Sequence, residues 1–470
     1  MKILFVSAEV APLVKTGGLA DVAGALPQAL RRIGHDVRIA MPGYRRLQAP
    51  AAITGPHAAA FLQYDDTPEE VRIRQTTLGE VPVYLLDIPA AFDREAVYGA
   101  GDDDRRFVLF SHGVMTLLHH LREVEAWQPE VVQSNDWHTA LISNYIRTRY
   151  SYTFGHLATV YTIHNLAYQG WFGEQTARLA GLWQGENYIN FMARGIIYAD
   201  VVSTVSPTYA QEILTPEYGE QLDGLLRARR GDLYGILNGI DLTVYDPASD
   251  PYLPATYSIA DLAGKAICKA QLQQELGLEV SPQRPLIGMV TRMVEQKGMD
   301  LLEQVMPWLI ETTDAQLVLL GSPHPHWEGV FRRYAAANPG RVAVEIAFDL
   351  ALSQRIYAGA DIFLMPSRYE PCGLGQLIAL RYGTVPIVRV TGGLADTISE
   401  GYEGNGFRFH GYTAGELADA IGRCLATYRD PLSWAALRER GMRQDFSWDA
   451  SARAYEELYR QALARRYNGV

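Results

Sequence analysis

The sequence Thr-Gly-Gly-Leu-Ala-Asp stands at positions 16–21 and recurs, residue for residue, at positions 391–396. Each copy follows an apolar run typical of a buried strand, at residues 3–6 and 385–390. A Gly-Gly pair between a strand and a helix lets the backbone approach a ligand, and the first N–H groups of the helix favour an anion. One such turn in each half predicts two nucleotide-binding lobes. The alternative is a tight turn without a ligand.

Composition describes a large, acidic protein. The chain has 470 residues, of which 48% are hydrophobic, and its formal net charge is -11. Its length exceeds a single-core domain, and its charge argues against nonspecific nucleic-acid binding. Three widely spaced cysteines predict a reducing compartment, and no signal-peptide pattern or membrane-spanning apolar run is present. We expect a soluble, cytoplasmic protein without a transit peptide.

Short apolar runs alternate with longer amphipathic runs, which is the pattern of parallel α/β sheets. The predicted strands are 3–8, 36–41, 81–88, 131–134, 158–163, 201–205 and 233–237, then 286–290, 316–320, 342–346, 362–365 and 385–390. The clearest predicted helices are 20–32, 104–124, 300–310 and 450–466. Turn signals without periodicity at 242–258 predict a linker. We therefore predict lobes at 1–243 and 244–445, and a C-terminal helix, 446–470, that returns to the first lobe.

Polar residues follow several strands of the first half, where parallel sheets bind ligands. Lys15 precedes Gly17 and Gly18 and can neutralise a phosphate; the alternative is a solvated surface lysine. In the cluster Asn-Asp-Trp-His at 135–138, Asp136 fits a sugar hydroxyl and the tryptophan fits a sugar ring face. The alternative for this cluster is a helix N-cap.

Two other strand ends of the first half carry candidate residues. His164 follows the strand 158–163 and fits a hydroxyl or a charge near a reacting carbon; a structural histidine is the alternative. Asn238 follows the last strand of the first half, where the alternative is an ordinary turn.

The second half offers a pair of cations and an unusual carboxylate. Arg292 and Lys297 lie in a loop before a helix and can hold a diphosphate; the alternative is an ion pair with Glu295. Pro371 forces Glu370 into an extended conformation just before a glycine-rich helix start. Because folding does not need a carboxylate displayed there, we predict that Glu370 belongs to a site.

Two patterns imitate metal sites. The acidic run 102–104 precedes a helix and is better explained as an acidic first turn, and the adjacent histidines 119 and 120 point to different sides of a helix. We predict no metal site.

Together, these segments resemble bacterial glycogen synthases and plant starch synthases over nearly the whole chain. The resemblance is carried by Lys-Thr-Gly-Gly-Leu-Ala-Asp-Val (15–22), Asn-Asp-Trp-His (135–138), Thr-Ile-His-Asn-Leu-Ala-Tyr-Gln-Gly (162–170), the 292–297 loop, Pro-Ser-Arg-Tyr-Glu-Pro-Cys-Gly-Leu (366–374) and the second Thr-Gly-Gly-Leu. It implies a GT-B fold, with two Rossmann-like lobes of parallel sheets and an interlobe active-site cleft. It also implies transfer of glucose from ADP-glucose to the non-reducing end of an α-1,4-glucan, with retention and without metal or cofactor.

The resemblance also implies residue roles. Asp136 and His164 would line the glucose site, Glu370 would hold the donor sugar, and Arg292 and Lys297 would bind the diphosphate. The nucleotide-sugar would further be contacted by Lys15, Gly17, Gly18, Asn238, Phe348, Gly373, Leu374, Thr391 and Gly392. The chain departs from the family at Gly375, where Thr or Ser is usual, and at Phe348, where Tyr is usual and stacks on the base.

Three functional alternatives remain open from the sequence. In the first, the enzyme uses UDP-glucose as its donor or transfers to a different acceptor, as a sucrose-type synthase does. In the second, retention proceeds through a covalent intermediate on a carboxylate, which the lack of an obvious carboxylate pair disfavours. A silent glucan-binding protein of the same fold is the third, and the intact set Lys15, Arg292, Lys297 and Glu370 argues against it. Nucleic acid and membrane are not expected partners.

Overall fold

The structure is a computed structural model and describes residues 1–45, 47, 54–64 and 67–468. Its strands are β1 (Lys2–Val6), β2 (Asp36–Pro42), β3 (Thr54–Tyr64), β4 (Thr67–Leu78), β5 (Val81–Asp87), β6 (Val131–Asn135), β7 (Ala158–Ile163), β8 (Trp171–Gly173), β9 (Tyr188–Asn190), β10 (Val201–Thr204), β11 (Leu233–Gly235), β12 (Leu286–Thr291), β13 (Gln316–Gly321), β14 (Val342–Ile346), β15 (Ile362–Met365), β16 (Val385–Arg389) and β17 (Phe407–Phe409).

The helices alternate with these strands over most of the chain. They are α1 (Gly18–Arg32), α2 (Pro89–Phe92), α3 (Asp103–Glu123), α4 (Leu141–Arg147), α5 (Ser151–Phe154), α6 (Glu174–Leu179), α7 (Phe191–Tyr198), α8 (Pro207–Glu212), α9 (Asp223–Ala228), α10 (Ala263–Glu275), α11 (Met299–Thr312), α12 (Pro325–Ala337), α13 (Leu350–Gly359), α14 (Gly375–Arg381), α15 (Gly392–Thr397), α16 (Ala414–Tyr428), α17 (Pro431–Met442) and α18 (Trp448–Asn468). Short 3₁₀ turns lie at Trp137–Thr139, Arg230–Asp232 and Glu295–Lys297.

The chain divides into two compact units. Unit 1 is Met1–Gly239 together with Trp448–Val470, and unit 2 is Ile240–Ser447. The C-terminal helix α18 therefore belongs to unit 1, where Tyr459 donates a hydrogen bond to Gln133 of β6. The lobe bounds given by the sequence, 1–243 and 244–445, stay a prediction about functional lobes.

In unit 1, the described strands include a nine-stranded sheet in the order β11-β10-β7-β6-β1-β2-β5-β4-β3. From β11 to β5 every neighbouring pair is parallel, whereas β4 pairs antiparallel with both β5 and β3. The chain passes from β1 to β2 on one side and later to β6 on the other. The strand order therefore reverses at β1, and loops that follow β1 and β6 leave a crevice at their carboxyl ends.

Unit 2 contains a six-stranded parallel sheet in the order β14-β13-β12-β15-β16-β17. The chain passes from β12 to β13 on one side and later to β15 on the other, so the order reverses at β12. The second crevice therefore lies at the carboxyl ends of β12 and β15.

The sequence explains why β1 occupies the centre of its sheet. Its residues 3–6 are all fully buried, as expected for a parallel strand covered on both faces. Helix α1, which follows β1 in the chain, packs against β2 and α18 and buries Leu19, Val22 and Leu26. Gly24 lies in that helix because an added Cβ would stand 2.4 Å from the carbonyl oxygen of Ala11.

All twelve predicted strands are present, with bounds within a few residues of those expected. The sequence analysis missed β3, β4, β17 and the hairpin β8–β9. The segment of β3 contains Gly, Pro and three consecutive alanines, which are poor strand formers, so its pattern did not indicate a strand. The described helices include none that is long and apolar enough to cross a membrane.

Candidate functional site

In unit 1, the glycine-rich turn after β1 is held by a carboxylate of its own chain. Glu9 Oε2 accepts hydrogen bonds from the backbone N–H groups of Thr16, at 2.5 Å, and Gly17, at 3.2 Å. Lys15 Nζ donates to Asp21 Oδ1 at 2.7 Å. Glu9 therefore satisfies the N–H groups of Thr16 and Gly17, which precede the first turn of α1, and phosphate binding by Lys15, Gly17 and Gly18 stays a prediction.

Glu9 is a residue that the sequence analysis missed. It is 3% exposed, and burial raises the pKa of its carboxyl to about 7 despite the hydrogen bonds from Thr16 and Gly17, which lower it. A signal was present, since a lone acid seven residues before the Thr-Gly-Gly turn interrupts a largely apolar run. The long reach of its side chain back to the turn was not readable from spacing.

Asp136 lies at the carboxyl end of β6 in a strained backbone conformation. Its φ of 55° and ψ of -178° fall in a region that residues with a side chain rarely adopt, at a cost of about 1–3 kcal/mol. Its Oδ1 accepts from the backbone N–H of His164 at 2.8 Å. Burial, reinforced by the charge of Glu9, raises the pKa of Asp136 to about 7. Strain and a raised pKa at one buried carboxyl are typical of a functional site.

His164 is held as a neutral hydrogen-bonding group. Its Nε2 lies 2.9 Å from Asn135 Oδ1, and Asn135 Nδ2 donates to the carbonyl of Val6 at 2.9 Å. Because that amide oxygen only accepts, His164 Nε2 carries the proton and Nδ1 is an acceptor. Burial lowers the pKa of His164 to about 3, so the ring is uncharged at neutral pH. Of its two predicted roles, hydroxyl recognition fits this state, and stabilisation of a charge near a reacting carbon stays a prediction.

An aromatic cluster packs around Trp137 and His138, the two residues that follow Asp136. Trp137 packs against Phe107, with ring centroids 5.1 Å apart, and against Phe172 at 5.5 Å. His138 lies between Trp137 and Tyr98, and its pKa falls to about 3 through burial. The Trp137 ring therefore already packs against other aromatic side chains, and its contact with a sugar ring stays a prediction.

Unit 2 holds a cavity of about 220 Å³ at the carboxyl ends of β12 and β15. Among its lining residues are five of the predicted site residues, Arg292, Lys297, Glu370, Gly373 and Leu374. These come from two loops far apart in sequence, and the reversal of strand order brings them together.

Two residues that line this cavity form an ion pair. Lys297 Nζ lies 2.5 Å from Glu370 Oε2, and Ser367 Oγ donates to the same oxygen at 3.0 Å. Glu370 is only 5% exposed. Gly298 permits the approach, because its φ is 77° and an added Cβ would lie 2.2 Å from the carbonyl oxygen of Pro366. The pair joins the predicted diphosphate-binding lysine to the predicted sugar-binding carboxylate.

Arg292 is exposed at the mouth of the cavity. The alternative of an ion pair with Glu295 does not hold, because Glu295 pairs with Arg368 at 2.9 Å. Arg292 Nη2 instead lies 3.4 Å from Gln296 Oε1. Within the part of the chain that the structure describes, no carboxylate pairs with Arg292, which leaves its charge available to an anion.

The second Thr-Gly-Gly turn lies against the backbone of Glu370. Gly393 N–H donates to the carbonyl oxygens of Glu370 and Pro371, each at 3.2 Å. Gly392 has a φ of 44°, and an added Cβ would be 1.9 Å from the Glu370 carbonyl oxygen. Only glycine fits this contact, which places Thr391 and Gly392 beside the Glu370 segment. Their contact with phosphate stays a prediction.

Two predicted nucleotide-sugar residues lie outside these clusters. Phe348 is 90% exposed in the loop before α13, where its ring is available to stack. Asn238 is buried in unit 1, and its Oδ1 has no hydrogen-bond partner among the described residues. Both assignments stay predictions.

The acidic run that imitates a metal site has a structural role. Asp102 pairs with Arg94, Asp103 pairs with Arg106, and Asp104 accepts from Thr176. Across residues 1–45, 47, 54–64 and 67–468, no cluster of His, Cys, Asp or Glu has the arrangement of a metal site.

Comparisons with known proteins agree on one family. The family described as starch synthase catalytic domain matches residues 2–228, and the family described as glycosyl transferases group 1 matches residues 284–427. The glycogen synthase of Moorella thermoacetica is 47% identical, over 99% of this chain and 98% of that protein. The glycogen synthase of Geotalea uraniireducens is 45% identical, over 99% of this chain and 100% of that protein.

Solved structures give the same result. The catalytic domain of starch synthase IV from Arabidopsis thaliana, bound to ADP and acarbose, has a TM-score of 0.91 at 35% identity, covering 98% of this chain and 99% of that chain. The sucrose-phosphate synthase of Thermosynechococcus elongatus has a TM-score of 0.63 at 20% identity, which shows a shared fold alone.

The raised pKa of Asp136 predicts a pH-dependent effect of Asp136→Asn on stability. The folded-state pKa of about 7 exceeds the usual 3.8, so ionisation of Asp136 destabilises the fold as pH rises from about 4 to 7. Asn keeps the acceptor for His164 but does not ionise. The stability of the variant relative to wild type should therefore rise over this range, by on the order of 4 kcal/mol, and level off above pH 7. Urea unfolding at pH 4.5, 6 and 8 measures this change.

Glu403→Gln, at an exposed carboxyl, is the control and should show no comparable pH trend. A stability difference between Asp136→Asn and wild type that is constant from pH 4.5 to 8 would contradict the assignment.

Proposed function

Because this chain belongs to the glycogen and starch synthase family of glucosyltransferases, we propose that it transfers glucose from ADP-glucose to the non-reducing end of an α-1,4-glucan, with retention at the anomeric carbon. Its fold is the GT-B fold of that family. The single observation that carries the assignment of a nucleoside-diphosphate sugar as donor is the cavity of unit 2, where a lysine, an arginine and a buried carboxylate converge. The choice of ADP-glucose follows the family.

The donor's diphosphate binds at Arg292 and Lys297. Arg292 offers a planar pair of donors and Lys297 a compact charge, which together suit two phosphate groups. As ADP leaves, negative charge builds on its terminal phosphate, and preorganised cations are most effective at that position. These side chains supply the positive charge that a metal ion supplies in other glycosyl transferases, so the reaction proceeds without one.

Glu370 holds the donor sugar through hydroxyl hydrogen bonds. Its carboxylate is already bonded to Lys297 and Ser367. Two such bonds reduce the electron density available for attack on carbon, which favours same-face attack by the acceptor hydroxyl over a covalent intermediate on Glu370. A glucosyl adduct trapped on Glu370 or Asp136 would overturn this mechanism.

The acceptor end binds in unit 1. Asp136 supplies a carboxyl that titrates near neutral pH, and His164 supplies a neutral ring acceptor at Nδ1. Glu9 fixes the turn that carries Lys15 and Gly17, and it raises the pKa of Asp136 through its charge. Glu9 is therefore a positioning residue for the turn that is predicted to contact the nucleotide-sugar, and its charge acts on Asp136.

The cellular location belongs to the same proposal. Cys268, Cys372 and Cys424 are free and buried. Unpaired thiols fit a reducing compartment, which supports a cytoplasmic enzyme.

The test of the donor is glucose incorporation into glycogen from ADP-glucose and, in parallel, from UDP-glucose, both with a chelator present. We expect strong incorporation from ADP-glucose and at most weak incorporation from UDP-glucose. Incorporation from UDP-glucose alone would correct the donor, and none from either substrate with folded protein would favour the silent glucan-binding alternative. Loss of activity on chelation would contradict the role given to Arg292 and Lys297.

Lys297→Ala tests the electrostatic role. Loss of one preorganised charge contact at the leaving group should lower kcat by about 10²–10³, equivalent to roughly 2.7–4 kcal/mol. The KM for glycogen should change little, because the lysine contacts the donor. Lys2→Ala, which removes an exposed lysine of unit 1, is the matched control and should retain full turnover. Loss of acceptor affinity with intact turnover would count against this role.

A further inference from the structure

Unit 2 has another cavity, of about 790 Å³, at the edge of its sheet opposite the cavity that holds Lys297 and Glu370. Its lining includes Pro285, which directly precedes β12, Asp314, which lies just before β13, and Asp361, which directly precedes β15. These strands are parallel, so this second cavity lies at their amino ends. The six residues of β12 separate the two edges of the sheet by roughly 17–20 Å. We call this space the amino-edge cavity.

Two helices carry cations into the amino-edge cavity. Lys265 and Lys269 are four residues apart on α10, so they lie on one face of that helix. Trp434 and Arg438 have the same spacing on α17 and line the cavity with them. Lys265 is only 4% exposed and Lys269 only 6% exposed, although lysine is rarely buried so deeply. The cavity is therefore a place where the fold gathers positive charge out of water.

Two of the four cations that line the cavity are matched by its two carboxylates. Lys269 Nζ lies 2.7 Å from Asp361 Oδ2, in the interior of the cavity. Arg429, which follows α16, lies 3.6 Å from Asp314. These two pairs cancel each other's charge and leave Lys265 and Arg438 to be accounted for.

Lys265 and Arg438 have no carboxylate partner. Lys265 Nζ donates only to neutral oxygens, which are the carbonyls of Ala358 and Tyr382 and the hydroxyl of Thr384. Arg438 Nε is buried without a hydrogen-bond partner, and its guanidinium forms no ion pair in the described part of the chain. The donors of Lys265 are thus all in use, whereas those of Arg438 are available to a ligand.

Burial disfavours the charges of these two side chains. It lowers the pKa of Lys265 to about 7, and Asp361 opposes this shift. The nearby charges of Arg438 and Lys269 add to the lowering. Burial also lowers the pKa of Arg438, against the attraction of Asp361. Because the charged forms are both desolvated and mutually repelling, an anion placed between them would be favoured.

The acidic residues that neighbour the lining residues in the chain are bonded elsewhere. Two are in ion pairs and two accept backbone N–H groups at the starts of α10 and α17: Glu279 with Arg284, Glu439 with Arg443, Asp261 with Ala263, and Asp430 with Leu432. None of these bonds gives a partner to Lys265 or Arg438.

The size and the remaining lining of the cavity indicate the class of ligand. A volume of about 790 Å³ lies within the range of small-molecule sites and exceeds what an inorganic ion needs. Leu262, Val280 and Trp434 are among the side chains that give it apolar surface. A phosphate monoester carries a charge of about -1.5 to -2 at neutral pH, which matches the two unpaired cations. Arginine binds such a group through two parallel hydrogen bonds.

We propose that the amino-edge cavity binds a small organic phosphate, with its phosphoryl group at Arg438 and its organic part against the apolar lining. The site differs from the predicted diphosphate site, because the two cavities lie at opposite edges of the sheet and share no lining residue. The proposal is independent of the function proposed above, since its test uses neither donor nor glucan.

Calorimetric titration of the full chain with phenyl phosphate, inorganic phosphate and benzoate tests the ligand class. Phenyl phosphate combines a dianion with an apolar ring and should bind most tightly. Inorganic phosphate lacks the ring and benzoate carries a single charge, so each should bind more weakly. Absence of phenyl phosphate binding, or equally tight binding of either of the other two anions, would overturn the proposal.

Two matched variants locate the site. Arg438→Met keeps the apolar stem and removes the charge, and it should weaken phenyl phosphate binding by at least about ten-fold. Lys297→Met alters the other cavity and is the control, which should still bind phenyl phosphate. Equal binding by wild type and Arg438→Met, or a loss in Lys297→Met alone, would overturn the proposal.

A crystal structure of the wild-type chain grown with phenyl phosphate decides the matter if Arg438→Met does not fold. The phosphoryl group should lie within hydrogen-bond distance of the Arg438 guanidinium. Phenyl phosphate bound only elsewhere, or not at all, would contradict the assignment.

Discussion

The reversal of strand order in each sheet is the constraint on which the functional geometry depends. At β1 and at β12 the chain turns to opposite sides of the sheet, so the loops that follow neighbouring strands diverge and leave a crevice. In unit 1 this brings the carboxyls of Glu9 and Asp136 near enough for the charge of one to raise the pKa of the other. In unit 2 it brings Lys297 to Glu370 across a long stretch of sequence. Neither pair is local in the chain, and each exists only because the parallel sheet forms.

The two identical turns are satisfied by different chemistry. In the first copy a side-chain carboxylate, that of Glu9, accepts the N–H groups of the turn. In the second copy a backbone carbonyl, that of Glu370, accepts the N–H of Gly393, and the side chain of Glu370 turns toward Lys297. A buried carboxylate is expensive unless it is bonded, and in both units the glycine-rich turn sits beside such a group. The same six residues therefore form one turn that is bonded to the side-chain carboxylate of Glu9 and a second turn that is bonded to the backbone of Glu370.

The sequence predicted the sheets well because buried parallel strands are continuous apolar runs, as in residues 3–6. It predicted that Lys297 and Glu370 lie in loops at strand ends, because glycine and proline mark those loops. It did not reveal the antiparallel strands β3 and β4, of which β3 has a composition atypical of strands. It also missed Glu9, because the reach of a buried side chain to N–H groups seven and eight residues away depends on the fold of the turn. Nor did the sequence show that burial keeps His164 neutral, since pKa depends on three-dimensional surroundings.

The central claim is that the ammonium group of Lys297 contacts both the carboxylate of Glu370 and the diphosphate of the donor. Calorimetric titration of ADP into wild type, Lys297→Met and Glu370→Gln tests this claim directly, without any turnover. Lys297→Met should weaken ADP binding by at least about ten-fold, or 1.4 kcal/mol. Glu370→Gln should bind ADP more tightly than wild type, because the lysine loses its competing carboxylate and the diphosphate loses a repelling charge. Unchanged ADP affinity in Lys297→Met, or weaker binding in Glu370→Gln, would contradict the account.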